Sequence, residues 1–198
     1  MSTVTASMFT HPLGDDAALI PRTAAIAEAY HALSVANHER LSLWNPGHDS
    51  PPTPEETREA LTRSGRAWLD GTQLPLAIAV PERADWRLVG AVGLRVDNTA
   101  GSGEVGYWID ADFEGRGLVT RAVAAVLDQA FGPLGLQRVE LRTDPGNERS
   151  RNMARRHGFT QQGGSRSAVA HPHGRRDDVV YVLLAGEWRN ALRTHSSP

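Results

Sequence analysis

The residues with the clearest chemical potential in this 198-residue sequence stand close together. They are Gly103-Glu104-Val105-Gly106-Tyr107-Trp108-Ile109-Asp110, then Phe113-Glu114-Gly115-Arg116-Gly117-Leu118-Val119-Thr120-Arg121-Ala122. The first run reads as a β-strand, the glycines as a tight turn, and the residues after Gly117 as the start of an amphipathic helix. The first N–H groups of a helix lack intrahelical partners and lie at the positive end of its dipole, so such a turn suits a pyrophosphate. Glycine at 115 and 117 lets the backbone approach a ligand without an intervening Cβ. A turn of this kind is also an ordinary way of joining a strand to a helix. A dinucleotide-binding fold fits less well, because it wants a longer glycine fingerprint and an acid about 20 positions on.

A second chemical run follows, Asp144-Pro145-Gly146-Asn147-Glu148-Arg149-Ser150-Arg151-Asn152-Met153-Ala154-Arg155-Arg156-His157-Gly158-Phe159. Between and around these runs the periodicity predicts the supporting elements. A short strand begins at Ala18, and a helix covers 23–41. Thr53-Pro54-Glu55-Glu56 has the form of a capping box with proline at the first helical position, opening a helix to about Asp70. Strands are predicted over 74–80, 87–96 and 104–110, a helix up to Gly132-Pro133, and a strand over 137–143. A helix over 148–156 and a closing pair of strands at Phe159 and 179–184 complete the chain. The order implies a mixed α/β sheet with helices on both faces. One domain over 1–198 is expected, with a core of about 17–185 and loose termini.

Composition narrows the chemistry. All 21 basic residues are arginine, and cysteine is absent. Codon usage in a GC-rich genome is a sufficient cause for the missing lysine. The consequence is the same in any case: no Schiff base, no lysine base and no P-loop, whose motif needs Gly-Lys-Ser/Thr. Thiol catalysis and disulfides are excluded as well. A formal net charge of −2 argues against a nucleic-acid partner. No apolar run is long enough for a membrane span and no leader is visible, so a cytoplasmic protein without a membrane partner is expected.

With both runs in view, the sequence resembles the GNAT acetyltransferase superfamily. Gly-x-Gly before one helix, Asn-x-x-Ser opening another that ends in Gly-Phe, and the element order carry the likeness. Gly106-Tyr107-Trp108-Ile109 and the segment Asn37-His38-Glu39-Arg40-Leu41-Ser42-Leu43-Trp44 resemble its RimJ/RimL branch, which acetylates protein N-termini. The resemblance implies a sheet of about six or seven mostly antiparallel strands, splayed between the strands over 103–110 and 137–143. It implies acetyl-CoA as cosubstrate, its pyrophosphate on the N–H groups of about Arg116, Gly117, Leu118, Val119 and Thr120. The pantetheine arm would run in the splay beside Trp108 and Ile109, with Asn147 and Ser150 near it. Ser150 matches a serine often assigned to protonate the departing thiolate; a helix-side or cap role is its simpler reading. Ala154 stands where many relatives have a tyrosine acid, and Ala170 near where some have a glutamate base. Glu114 stands where the family has Gln or Arg, and is expected to face solvent.

The amine attack needs a neutral amine and an acceptor for its proton. A protein α-amine is roughly 10–20% neutral at pH 7 and a lysine roughly 0.04%, so an α-amine acceptor can manage with a modest base or a water chain. Glu104 is the first candidate base, directly or through water. Glu140 is second, on a polar strand face with Arg138 and Arg142, which reads equally as a ladder of ion pairs. Six arginines against three acids over 138–156, together with Arg116 and Arg121, suggest a basic patch for the CoA 3′-phosphate that includes Arg155. His171 and His173 with Asp177 and Asp178 offer no third ligand at a recognisable spacing, so no metal is expected.

The leading reading is an N-acetyltransferase acting on a protein or peptide α-amine by direct attack in a ternary complex. A small-molecule amine (an aminoglycoside or other antibiotic, a polyamine, an amino acid) is the alternative acceptor. A non-catalytic acyl-CoA-binding regulator is the third reading. A homodimer is expected at family level only.

Overall fold

The computed structural model describes residues 10–44, 50–171 and 174–195, and the side chains of 165–177 and 194–195 are outside this description. One eight-stranded sheet runs β1-β2-β3-β4-β5-β6-β8-β7. Its strands are β1 His11–Pro12, β2 Ala18–Pro21, β3 Gln73–Glu82, β4 Asp85–Asp97, β5 Ser102–Ile109, β6 Arg138–Thr143, β7 Thr160–His171 and β8 Gly174–Leu184. All neighbours are antiparallel except β5 and β6. The expected count of six or seven omits β1, whose two residues carry no periodic signal.

Helices cover both faces. On one face lie α1 Ala27–Ala36, α2 His38–Ser42 and α3 Pro54–Leu69; on the other α4 Leu118–Phe131, flanked by α5 Glu148–Arg156 and α6 Ala185–His195. The expected single helix over 23–41 is interrupted at Asn37, whose φ of −108° and ψ of 6° leave the helical region. Its side-chain Nδ2 donates back to the Leu33 carbonyl at 3.1 Å, an internal hydrogen bond that competes with the helix ladder. The Thr53 capping box forms as the sequence predicts, with both halves made to Glu56. The α6 helix was not expected; Ala185 and Trp188 seat it in the core, and Trp188 Nε1 donates to Asp128 Oδ1 at 2.9 Å.

The sheet separates two apolar clusters. Val92, Leu94 and Val105 meet Leu118, Ala122, Val123, Val126 and Leu127 of α4. Ile20, Ala77, Ala79 and Leu88 meet Ile26, Leu33 and Leu61, with Tyr30 and Trp108 at the margin. The strict apolar stripe of α4 produces the first, and the small residues of β3 leave room for the second.

Two irregularities shape the site end of the sheet. Between β3 and β4 the pairing passes from Ile78↔Gly90 to Ala79↔Leu88, so Val89 is the extra residue of a bulge. Its carbonyl accepts the Asp110 N–H at 2.7 Å, fixing the end of β5. A bulge bends and twists its strand, and β5 follows β4 in that bend. Meanwhile the parallel pairing of β5 with β6 covers only Ser102↔Arg138, Gly103↔Val139 and Glu104↔Glu140. Beyond Glu104 the two strands part.

At Gly90 a Cβ would lie 2.5 Å from the Trp108 carbonyl oxygen and 3.1 Å from Ile109 Cα. Gly90→Ala must therefore push β5 away from β4. The expected cost is about 1–3 kcal/mol in urea unfolding, and an unchanged midpoint would show that β5 is not held there.

Candidate active site

The splay between β5 and β6 is the centre of the site. From Val105 onward the inner edge of β5 has no strand partner, and from Leu141 onward neither does that of β6, although both strands stay paired on their outer edges. A ligand chain laid between them would meet exposed strand backbone.

At the mouth of the splay, a short helical turn over Ala111–Phe113 leads into the glycine turn. Gly115 and Gly117 adopt φ of +74° and +70°, and a Cβ at either would meet nothing within 4 Å. Gly117 caps α4 without a side-chain hydrogen bond, so the N–H groups of Leu118, Val119 and Thr120 face the space ahead of the helix. The expected cradle is thus formed by backbone.

The arginines that the sequence suggests for a 3′-phosphate patch each have partners within the protein. Arg116 folds over the Phe113 ring at 4.6 Å and donates to the Asp112 carbonyl at 2.9 Å. Arg121 makes a two-pronged pair with Asp16 at 2.7 and 3.1 Å, and its N–H donates to the Gly117 carbonyl. Arg155 donates to Asn152 Oδ1 at 2.8 Å and lies 3.7 Å from Glu148. Arg116 and Arg155 are held by neighbours within seven residues, and Arg121 by Asp16, 105 positions away.

Glu114 corrects a further expectation. It does not simply face solvent: it bridges Arg40 of α2 and Arg149 of α5. Arg40 also donates to the Ile109 carbonyl. One carboxylate thus ties the glycine turn to helices from both sides of the splay. His157 adds a second tie, with Nδ1 3.0 Å from the Met153 carbonyl oxygen and Nε2 3.1 Å from that of Thr120.

Asn147 takes the cap position of α5 and accepts the Ser150 N–H at 3.1 Å. That is the structural role open to it, and it orients the first turn. Ser150 Oγ is not a cap. It lies 2.8 Å from Tyr107 Oη, across the splay. Burial pushes the Tyr107 hydroxyl up to about 12, against a smaller opposing effect of the Ser150 hydrogen bond. Tyr107 therefore stays protonated at neutral pH. Sequence reading missed Tyr107 as a site residue although it quoted the Gly-Tyr-Trp-Ile run; strand alternation places residue 107 on the α4 side, and only the fold brings α5 to meet it. Ala154 is fully buried on the inner face of α5.

On the opposite face a groove of about 370 Å³ opens beside the splay, lined by Arg22, Tyr30, Arg95, Glu104, Gly106 and Trp108 among others. Trp108 packs edge-on to Tyr30, with ring centroids 6.2 Å apart. Trp108 and Glu104 thus share the groove face, and Ile109 contributes its carbonyl to Arg40. The Glu104 carboxylate is 2.5 Å from Arg95 and 3.7 Å from Arg142. Arg142 also reaches Glu140 at 2.7 Å and Asp178 at 3.4 Å, and Glu140 takes Arg138 at 2.8 Å. The polar face of β6 is therefore a ladder of ion pairs continuous with Glu104.

The side chain of His171, with Pro172 and His173, lies outside the described residues, as does the side chain of Ala170. Among the described residues no group of three His, Asp or Glu could hold a metal, and no helix is long and apolar enough to cross a membrane.

Residues 18–160 match the family described as Acetyltransferase (GNAT) domain. The chain belongs to the GNAT acetyltransferase family and is an acyltransferase using acetyl-CoA. It is 33% identical over 167 residues to "Putative ribosomal N-acetyltransferase YdaF" of Bacillus subtilis (strain 168), covering 82% of this chain and 87% of the relative. A crystal structure of "Probable acetyltransferase" superposes with a TM-score of 0.82 at 29% identity, over 91% of this chain and 99% of the other. RimL, a ribosomal L7/L12 α-N-protein acetyltransferase in complex with coenzyme A, gives 0.83 at 19% identity, over 90% and 99%; that likeness is one of fold.

Glu140 yields a stability prediction. Burial raises its pKa, but hydrogen bonds and charge from Arg138 and Arg142 outweigh this and hold it below the ordinary value. The folded chain thus keeps this carboxylate charged to lower pH than the unfolded chain does. Its stabilisation is present above the unfolded value and lost as pH falls through the folded one. Glu140→Gln should lower stability by about 1 kcal/mol at pH 7, and the two proteins should converge in urea titrations as pH drops from about 5 to below 4. A gap that persists at low pH would mean that packing, not charge, is lost.

Proposed function

We propose that the chain acetylates the N-terminal α-amine of a protein or peptide, by direct attack on acetyl-CoA held in the splay. The character of the groove carries this reading. It opens on the surface, its floor includes the strand backbone at Gly93 and Gly106, and its lining holds two arginines against one carboxylate. Such a lining repels a polycationic drug or polyamine and accepts an extended chain. The names "Putative ribosomal N-acetyltransferase YdaF" and, for RimL, "Ribosomal L7/L12 alpha-N-protein acetyltransferase" agree with it.

The amine would enter along the groove beside Glu104. As its nitrogen bonds to the thioester carbon it becomes strongly acidic, and Glu104 accepts the proton directly or through water. The carbon–sulfur bond then breaks and the thiolate leaves toward Ser150 Oγ. Ser150 donates to the sulfur, and Tyr107 Oη stands behind it as the next donor. In this arrangement the phenol comes from β5, whereas the family resemblance would place one on the helix that here carries Ala154. We assign the chain to a single catalytic domain on the same grounds.

The reading is tested by incubating the protein with acetyl-CoA and N-terminal peptides, beside spermidine and an aminoglycoside, and locating the acetyl group by mass spectrometry. Acetylation of peptide α-amines is expected; turnover of the small amines alone overturns it. With a peptide, kcat/KM should rise about tenfold per pH unit below pH 7 and level off above about pH 8, as an α-amine titrates. A rise continuing toward pH 10 would indicate a lysine-like amine. Ser150→Ala should lower kcat about 100-fold with CoA affinity retained, and Tyr107→Phe should add little to it; independent, multiplying losses would contradict a shared path.

A further inference from the structure

One cation in the groove has no carboxylate partner among the described residues. Arg22 follows β2, and its N–H is pinned to the Pro75 carbonyl at 2.9 Å. Nη1 donates to Tyr30 Oη at 2.9 Å, and the guanidinium carbon lies 5.7 Å from the Tyr30 ring centroid. Nη2 hangs over Gly93, where a Cβ would come within 3.3 Å of it. Nε is buried without a hydrogen-bond partner. On the same face Arg95, Arg138 and Arg142 are all paired with carboxylates. Among the described residues, no carboxylate pairs with Arg22. A guanidinium at the wall of a groove with no paired carboxylate suits a ligand carboxylate at its groove-facing nitrogen, Nη2.

The strand register gives the spacing. Gly93 pairs with Gly106 and Arg95 with Glu104, so the guanidinium of Arg22 and the carboxylate of Glu104 stand over positions two residues apart, about 7 Å along the strands. Nothing fills the interval, because a Cβ at Gly106 would meet no atom within 4 Å. An acidic first residue would hold its carboxylate about 4 Å from its own amine, whereas an acidic second residue spans about 6–8 Å.

We infer that the acceptor is a peptide N-terminus whose second residue is acidic, its α-amine at Glu104 and its side-chain carboxylate at Arg22. This rests on the peptide α-amine reading above. Arg22 is then a specificity residue that acts on acceptor binding.

The test compares initial rates of the full chain with Ala-Asp-Ala-Ala and Ala-Asn-Ala-Ala peptides at saturating acetyl-CoA. The Asp peptide should have a kcat/KM at least about tenfold higher, expressed in KM. Arg22→Gln should bring the ratio to about one while calorimetry shows unchanged CoA affinity. Equal wild-type rates would overturn the inference and leave the peptide reading intact; no acetylation of either peptide while small amines turn over would overturn both. If Arg22→Gln fails to fold, the wild-type ratio still decides. Gly106→Val fills the groove floor without straining the backbone. It should raise KM for both peptides at least about tenfold with CoA affinity and thermal midpoint retained; unchanged KM would show that the acceptor does not cross Gly106.

Discussion

Everything in this protein's site depends on the parting of two parallel strands. β5 and β6 share three residue pairs and then diverge, while each remains fully bonded to its outer neighbour. An open strand edge inside a sheet is costly unless something satisfies it. Here the opening is held from both sides. The Val89 bulge bends β5 with β4, and the Glu114 bridge to Arg40 and Arg149 spans the mouth. The Tyr107–Ser150 bond crosses the gap on the α4 side. The edge is thereby kept for a ligand.

The two faces of the sheet divide the chemistry. On the α4 side the residues are neutral: glycine-turn N–H groups, a serine and a tyrosine raised to about 12. These suit a phosphorylated donor and a leaving sulfur, both of which want hydrogen-bond donors. On the α1 side the residues are charged, and nearly all are matched. Glu104 sits within that ladder, held in place by Arg95 and Arg142. Arg22 departs from the pattern: it rests on Tyr30, and among the described residues no carboxylate pairs with it.

The donor half was largely legible in the sequence, because it is local. A glycine turn and the helix it opens span a dozen consecutive residues, and the Asn147 cap and Ser150 lie three apart, so spacing alone places them. The capping box at Thr53 was legible for the same reason. The ties that hold the splay open join residues far apart in the chain. Arg40 meets Glu114 across 74 positions and Tyr107 meets Ser150 across 43; no periodicity reports such pairs. Arg116, Arg121 and Arg155 show how much spacing leaves open: it groups the three, but their partners Asp112, Asp16 and Asn152 become visible only in the fold. The break at Asn37 was hidden because a side chain competing for backbone bonds leaves the apolar pattern intact.

The central claim is that acetyl-CoA lies in the splay with its sulfur between Ser150 and the Glu104 groove. A crystal structure with coenzyme A tests it most directly. The account predicts the pyrophosphate on the N–H groups of Leu118, Val119 and Thr120, the pantetheine against the free edge of β5, and the sulfur within about 3.5 Å of Ser150 Oγ. A pyrophosphate bound away from the glycine turn, or a sulfur distant from Ser150, would contradict it.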